Sequence, residues 1–192
     1  MRSKKLYVGS LVWILTLTLS GIFLLTIVTA TTRASTRRDP LTEKEADLVR
    51  EAQALDKRTD VFIKAAERRL RALSAANAAA KESPKDIEKW GELTGTRAEL
   101  LGDLANILDE AVTNIEDVGT HNSKSGLIPK SIRKLAEAST RFLPQLLALR
   151  DRVTDDERAS LERAIEQAQE VIAAAGRLPA ETVETKKKKG KS

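Results

Sequence analysis

Five of the last seven residues are lysines: Lys186, Lys187, Lys188, Lys189 and Lys191. Of all the side chains here, these are the ones whose type and spacing most plainly suit a ligand. Ammonium groups crowded this closely repel one another and draw in polyanions. Anionic lipid, wall polymer and nucleic acid would each be held by loose electrostatics. The same composition also describes a solvated terminus with no partner.

Other residues suggest chemistry and then fall short of it. His121 is the single histidine, set beside Asn122 in the polar stretch Gly119–Gly126. A di-iron bundle needs a Glu-x-x-His on each of two helices, and one histidine cannot supply both. Asp103, Asp109, Glu110, Glu116 and Asp117 follow one another along one helical pattern. Spacings of seven put Asp103 with Glu110, and Glu110 with Asp117, on one face. A divalent cation would need further carboxylates converging from other segments. Without them, this is a solvated face opposite an apolar stripe. Asp155, Asp156 and Glu157 stand where a helix begins and favour its dipole. Arg68, Arg69 and Arg71 read as surface charge paired with Glu67 and its neighbours, or as a contact for an acidic partner or lipid headgroups. Trp90 would plug the end of a bundle or stand out as a binding anchor.

The chain has no cysteine, so it has neither disulfides nor thiolate metal sites. It carries no serine in a strand-to-helix elbow, no phosphate-cradling glycine loop and no aromatic ladder for single strands. The expectation is a non-enzymatic protein without cofactor, metal or small-molecule substrate.

The elements that position these residues are helices. Charged residues make up 32% of the chain and aromatic ones 3%. Alanine and leucine must then fill the core, which favours helices over strands. Thr42 with Glu45 forms a capping box, and an apolar stripe follows through Leu48, Ala52, Leu55, Thr59, Phe62, Ala66, Leu70 and Leu73. No glycine or proline interrupts it before about Lys81, so the spacing predicts one very long first helix. Ser83-Pro84 opens a short helical turn to Trp90, and Gly91 and Gly95 mark a loop. Thr96 with Glu99 caps a helix striped by Leu101, Leu104, Leu108, Ala111, Ile115 and Val118. The next starts near Pro129 and carries Ile132, Leu135, Ser139, Phe142, Leu146, Leu149 and Val153. Pro144 inside it lacks an N–H and crowds the Thr140 carbonyl, which predicts a kink or break near 140–143. Thr154 with Glu157 caps the last helix, which ends near Gly176. The fold class is therefore all-α: an antiparallel bundle of about four helices over 41–178, with self-association along the stripes as an alternative.

Ahead of the bundle, Leu6–Thr32 runs 27 residues without a charge, followed by a polar linker over 31–40. Two parses fit residues 1–30. One is a secretory signal with a basic start, an apolar region Leu11–Val28 and cleavage between Ala30 and Thr31. The other is a retained anchor. Residues 6–30 as a helix would span roughly 37 Å, enough for a hydrocarbon core of about 30 Å. The length of the apolar region and the arginines Arg33, Arg37 and Arg38 directly after it favour the anchor, with the bundle outside.

The formal charge of +5 resides at the ends. Setting aside Arg2, Lys4, Lys5 and the five terminal lysines leaves 25 basic against 28 acidic residues, a net of −3. The middle of the chain is no basic nucleic-acid domain, and 179–192 is a lysine-rich tail of disordered composition. The expectation is a bacterial envelope protein, single-pass or exported, with its helical domain in the periplasm or cell exterior. It would act by protein contact, and polyanion binding through the tail is the alternative.

Overall fold

The computed structural model describes residues 38–74 and 82–179. The run Leu6–Thr32, the Ala30–Thr31 position and Lys186 to Lys191 lie outside the described residues. Among the described residues there are six α-helices and no strand: α1 (Glu43–Glu51), α2 (Leu55–Ser74), α3 (Pro84–Trp90), α4 (Arg97–His121), α5 (Leu127–Leu147) and α6 (Asp155–Gly176). A short 3-10 turn, Arg150–Arg152, joins the last two. None of these helices is long and apolar enough to cross a membrane.

The capping chemistry places the helix starts. The Thr42 and Thr96 hydroxyls each accept from the backbone N–H three residues on, and Glu45 and Glu99 accept in return from the threonine N–H groups at 2.9 and 2.7 Å. Glu157 accepts from the Thr154 N–H at 3.2 Å. Each box satisfies donors that the first turn of a helix leaves unpaired.

The very long first helix is not found. The chain leaves helical geometry at Ala52, whose ψ is 95°, and α2 begins at Leu55. Packing explains a break that no glycine or proline signals. In one continuous helix, Glu45 and Arg68 would stand about 35 Å apart, at 1.5 Å per residue. The corner at 52–54 folds α1 back along α2 so that the two meet at 2.5 Å.

The helix after Gly126 also differs from expectation. It starts at Leu127 and continues past Pro144 to Leu147 without a break. Phe142 and Leu146, on either side of the proline, are both buried, and their packing holds the last turn in place.

Helices α2, α4, α5 and α6 form a four-helix arrangement in which α2 and α6 each lie beside α4 and α5. Polar contacts fix the directions. Arg97, at the start of α4, donates to the Leu73 carbonyl at the end of α2 (2.9 Å), so these two are antiparallel. Arg133, in the second turn of α5, donates to the Pro179 carbonyl just beyond α6 (2.5 Å), so that pair is antiparallel too. Lys130 pairs with Asp56, and further along Arg141 pairs with Glu67, so α2 and α5 run parallel. Arg97 reaches Glu157 at 3.3 Å, which sets α4 parallel to α6. Direction alternates along the chain, yet only two of the four neighbouring pairs are antiparallel.

The stripes read from spacing point inward. Leu55, Phe62, Leu70, Leu101, Leu104, Leu108, Leu135, Phe142, Leu146, Leu161 and Ile165 are all buried in one core. Helix α1 contributes no fully buried apolar side chain to it. Arg38 lies 3.5 Å from Glu99 at the start of α4, and Pro179 lies beside the start of α5, so the two leave the bundle at opposite ends.

Candidate functional site

Two places on the bundle have chemistry beyond packing. The first lies where α1, the end of α2, the end of α3 and the start of α4 meet. Glu45 is fully buried, and its Oε1 accepts from Arg68 Nη1 and Arg69 Nη1, each at 2.5 Å. Its other oxygen completes the capping box with Thr42. Arg68 grips Glu82 through Nε and Nη2 (2.5 and 2.6 Å) and also donates to the Trp90 and Gly91 carbonyls. Arg69 donates to the carbonyls of Pro40 (2.6 Å) and Ala65 (3.1 Å), while its Nε has no partner. Burial works against the Arg68 charge, but the bonds to Glu82 and the charge of Glu45 outweigh it and raise the pKa.

Arg38 reaches the same end of the bundle. It donates to the Thr94 carbonyl and stands 3.1 Å from Asp103 and 3.5 Å from Glu99. Asp103 Oδ2 is near the guanidinium without the alignment of a hydrogen bond. Burial pushes the Asp103 carboxyl up, and the charges of Arg38 and Arg69 only partly counter it.

Two glycines make the approach possible. Gly91 (φ 78°) and Gly95 (φ 128°) adopt backbone that L side chains rarely take. A Cβ on Gly91 would lie 2.9 Å from the Thr42 hydroxyl, and one on Gly95 would lie 2.5 Å from the Arg38 guanidinium.

These positions revise two sequence expectations. Arg68 and Arg69 are not surface charge paired with Glu67. Both are buried on Glu45, while Glu67 pairs with Arg141 and Lys64; only Arg71 is exposed. Asp103 does not belong to a solvated face, since it is 4% exposed, whereas Asp109, Glu116 and Asp117 are exposed. Both corrections have one cause. Arg69 falls on the stripe of Phe62, Ala66 and Leu73, and Asp103 lies among Leu100, Leu104 and Ile107. A charge in register with an apolar stripe was the signal to read.

The remaining candidates stay apart. His121 ends α4 instead of sitting in a loop, with its side chain 78% exposed and its Nδ1 2.8 Å from the Asp117 carbonyl. Trp90 ends α3 half-buried, under the Lys89 ammonium at 5.4 Å, and uses its carbonyl to bind Thr42 and Arg68. Asp155 and Asp156 are exposed in the first turn of α6. Among the described residues no group of three acidic or histidine side chains could hold a metal ion. A buried carboxylate absent from the sequence candidates, Asp56, clamps α2 to α5 through Lys130 at 2.6 Å. The bond from Lys130 holds the Asp56 carboxyl below its ordinary range against desolvation, and the charges of Lys130 and Lys134 add to it.

The second place is a groove of about 360 Å³ between α4, α5 and α6, toward the end from which Pro179 leaves. Val112 and Ile115 line it from α4, Ile132 and Leu135 from α5, and Val171, Ala173 and Ala174 from α6. The cause is local: the last turns of α6 change from leucine and isoleucine to alanine, and small side chains leave the space unfilled. Glu116, Glu170 and Arg177 stand around it. Elsewhere the described surface is dense in charge, and Leu147 is its one exposed large apolar side chain.

Comparison of the chain with protein-family models, with curated proteins and with solved structures finds no match.

Proposed function

We propose that this is a non-enzymatic bacterial envelope protein, tethered or exported through residues 6–30, whose helical bundle acts by gripping a partner helix. The observation that carries the reading is the apolar groove in an otherwise charged surface. Apolar concavities of this size are where side chains of a partner are taken up. The occupant proposed is an amphipathic helix with an apolar ridge flanked by lysine or arginine, because the rim holds two carboxylates against one guanidinium. The uncharged run Leu6–Thr32 supports the envelope setting.

The test is photo-crosslinking in native membranes from a reactive residue at Val112, with the same residue at Arg163 as the surface control. The reading expects a discrete adduct from position 112 only. That adduct should map to an amphipathic helix and vanish when Ala174→Leu fills the groove. Equal adducts from both positions, or one indifferent to Ala174→Leu, would refute it.

A second reading rests on the five lysines at 186–191: loose binding of anionic lipid, wall polymer or nucleic acid. Binding that falls with salt and disappears on deleting residues 186–192 supports it. Low-salt binding that survives the deletion removes it.

A further inference from the structure

Among the described residues, the attachment of helix α1 to the bundle differs in kind from the contacts between the long helices. The one fully buried side chain of α1 is a carboxylate, Glu45. The helices α4 and α5 that pack along α2 bring buried leucine, isoleucine or phenylalanine, whereas the segment 38–51 brings a buried Pro40 and only partly buried Leu41, Leu48 and Val49. The rest of its attachment is polar. Glu45 is seated on Arg68 and Arg69, Arg69 holds the Pro40 carbonyl, and Thr42 donates to the Trp90 carbonyl. Lys44 reaches the Glu88 carbonyl, and Arg38 reaches Thr94, Glu99 and Asp103.

A buried ion pair gives up hydration that its own attraction only about repays, so it adds little net stability while seated. Seating is nonetheless nearly all-or-none, since a half-formed contact leaves charges dry and unpaired. A hinge exists already, because the backbone at 52–54 is not helical. What remains after α1 leaves is self-sufficient. Arg68 keeps Glu82 and the Trp90 and Gly91 carbonyls, so α3 stays bound. The buried core residues belong to α2, α4, α5 and α6, begin at Leu55 and pack on one another, with Leu41 and Val49 as the strap's apolar contacts.

We infer that α1 is a releasable strap, latched by Glu45 between Arg68 and Arg69, which detaches as a unit while the four-helix core remains folded. The inference stands independently of the groove and its partner. Its consequence is that residues 38–52, the link to everything before them in the chain, change from docked helix to free tether without unfolding the bundle.

Hydrogen exchange of the full chain, read by mass spectrometry, tests this. In the wild type, amides of 43–51 should exchange at least tenfold faster than those of 104–115 and 161–171, by an opening that low denaturant does not accelerate. Glu45→Gln removes the charge but keeps an oxygen for the capping box, which accepts Glu or Gln. It should speed exchange at 43–51 a further tenfold or more and leave 104–115 and 161–171 within twofold. Glu157→Gln makes the same change in the third capping box, whose arginine partner is Arg97 of α4 and which has no contact with α1, and should leave 43–51 unaltered. Exchange of 43–51 in step with α4 in the wild type would overturn the strap. So would a Glu45→Gln chain that loses protection in every helix alike, or one unchanged at 43–51.

Discussion

Replacing Pro144 by alanine should stabilise the bundle. Pro144 is exposed on α5 with three helical residues beyond it, so the substitution removes no core packing. The ring leaves the Thr140 carbonyl without its backbone donor and crowds it, a combination that disfavours proline in a helix interior by about 3 kcal/mol relative to alanine. Only one further turn depends on the site before the chain passes into the 3-10 turn at Arg150–Arg152, so about half of that figure is recoverable. Removing a proline also frees the unfolded chain, which offsets about 0.4–1 kcal/mol. The expected net gain is roughly 1 kcal/mol, a rise in melting temperature of about 2–4 °C for a domain of this size. Thermal unfolding of the full chain in detergent, followed by far-ultraviolet circular dichroism, measures it. A melting temperature unchanged or lowered by Pro144→Ala would refute the reasoning. The fixed φ of proline would then be aiding the turn into Arg150–Arg152, not opposing the helix.

Gly91→Ala should destabilise by about 1–2 kcal/mol, because its φ of 78° is unfavourable for any side chain and the new Cβ meets Thr42; urea unfolding reads the loss. The Asp56–Lys130 clamp gives a pH dependence of defined sign. The folded carboxyl of Asp56 is depressed from 3.8, so its contribution is full above that value and lost as pH falls through the lower folded value. The urea-midpoint difference between wild type and Lys130→Met should therefore be constant from pH 5 to 7 and shrink below about pH 4. A difference that persists undiminished at pH 2 would contradict it. At the alkaline end the Lys130 ammonium, raised by its bond to Asp56, holds the clamp past pH 10.5 and releases it only above its elevated value, which the same pair of proteins reports.

Much of the fold was legible because the local signals agreed with one another. Thr42, Thr96 and Thr154 each opened a helix where the capping pattern stood, and the stripes from Leu55, Leu101, Leu135 and Leu161 onward were the ones buried. The corner at 52–54 was not legible, since nothing in Ala52-Gln53-Ala54 disfavours a helix. It brings Glu45 onto two arginines from 23 and 24 residues away, and no local pattern encodes such a partner. The same distance dependence hid the burial of Asp56, whose partners lie 74 and 78 residues along the chain. The groove was invisible for a different reason: the run from Ile172 to Gly176 reads as a good helix end, and the gap depends on what α4 and α5 place opposite it.

Arg38 and Pro179 leave the bundle at opposite ends, which separates the two parts of the sequence with an evident address. The uncharged run precedes Arg38, and the lysines follow Pro179. Between those exits lies the length of α4, 25 residues or about 37 Å of helix. The chain leaves at Pro179 on the end toward which the groove opens. Under the proposed function, truncating residues 186–192 should leave membrane retention, carried by residues 6–30, unchanged while altering contacts made at the groove end. Loss of membrane association on that truncation would assign the lipid contact to the lysines and refute that division of roles.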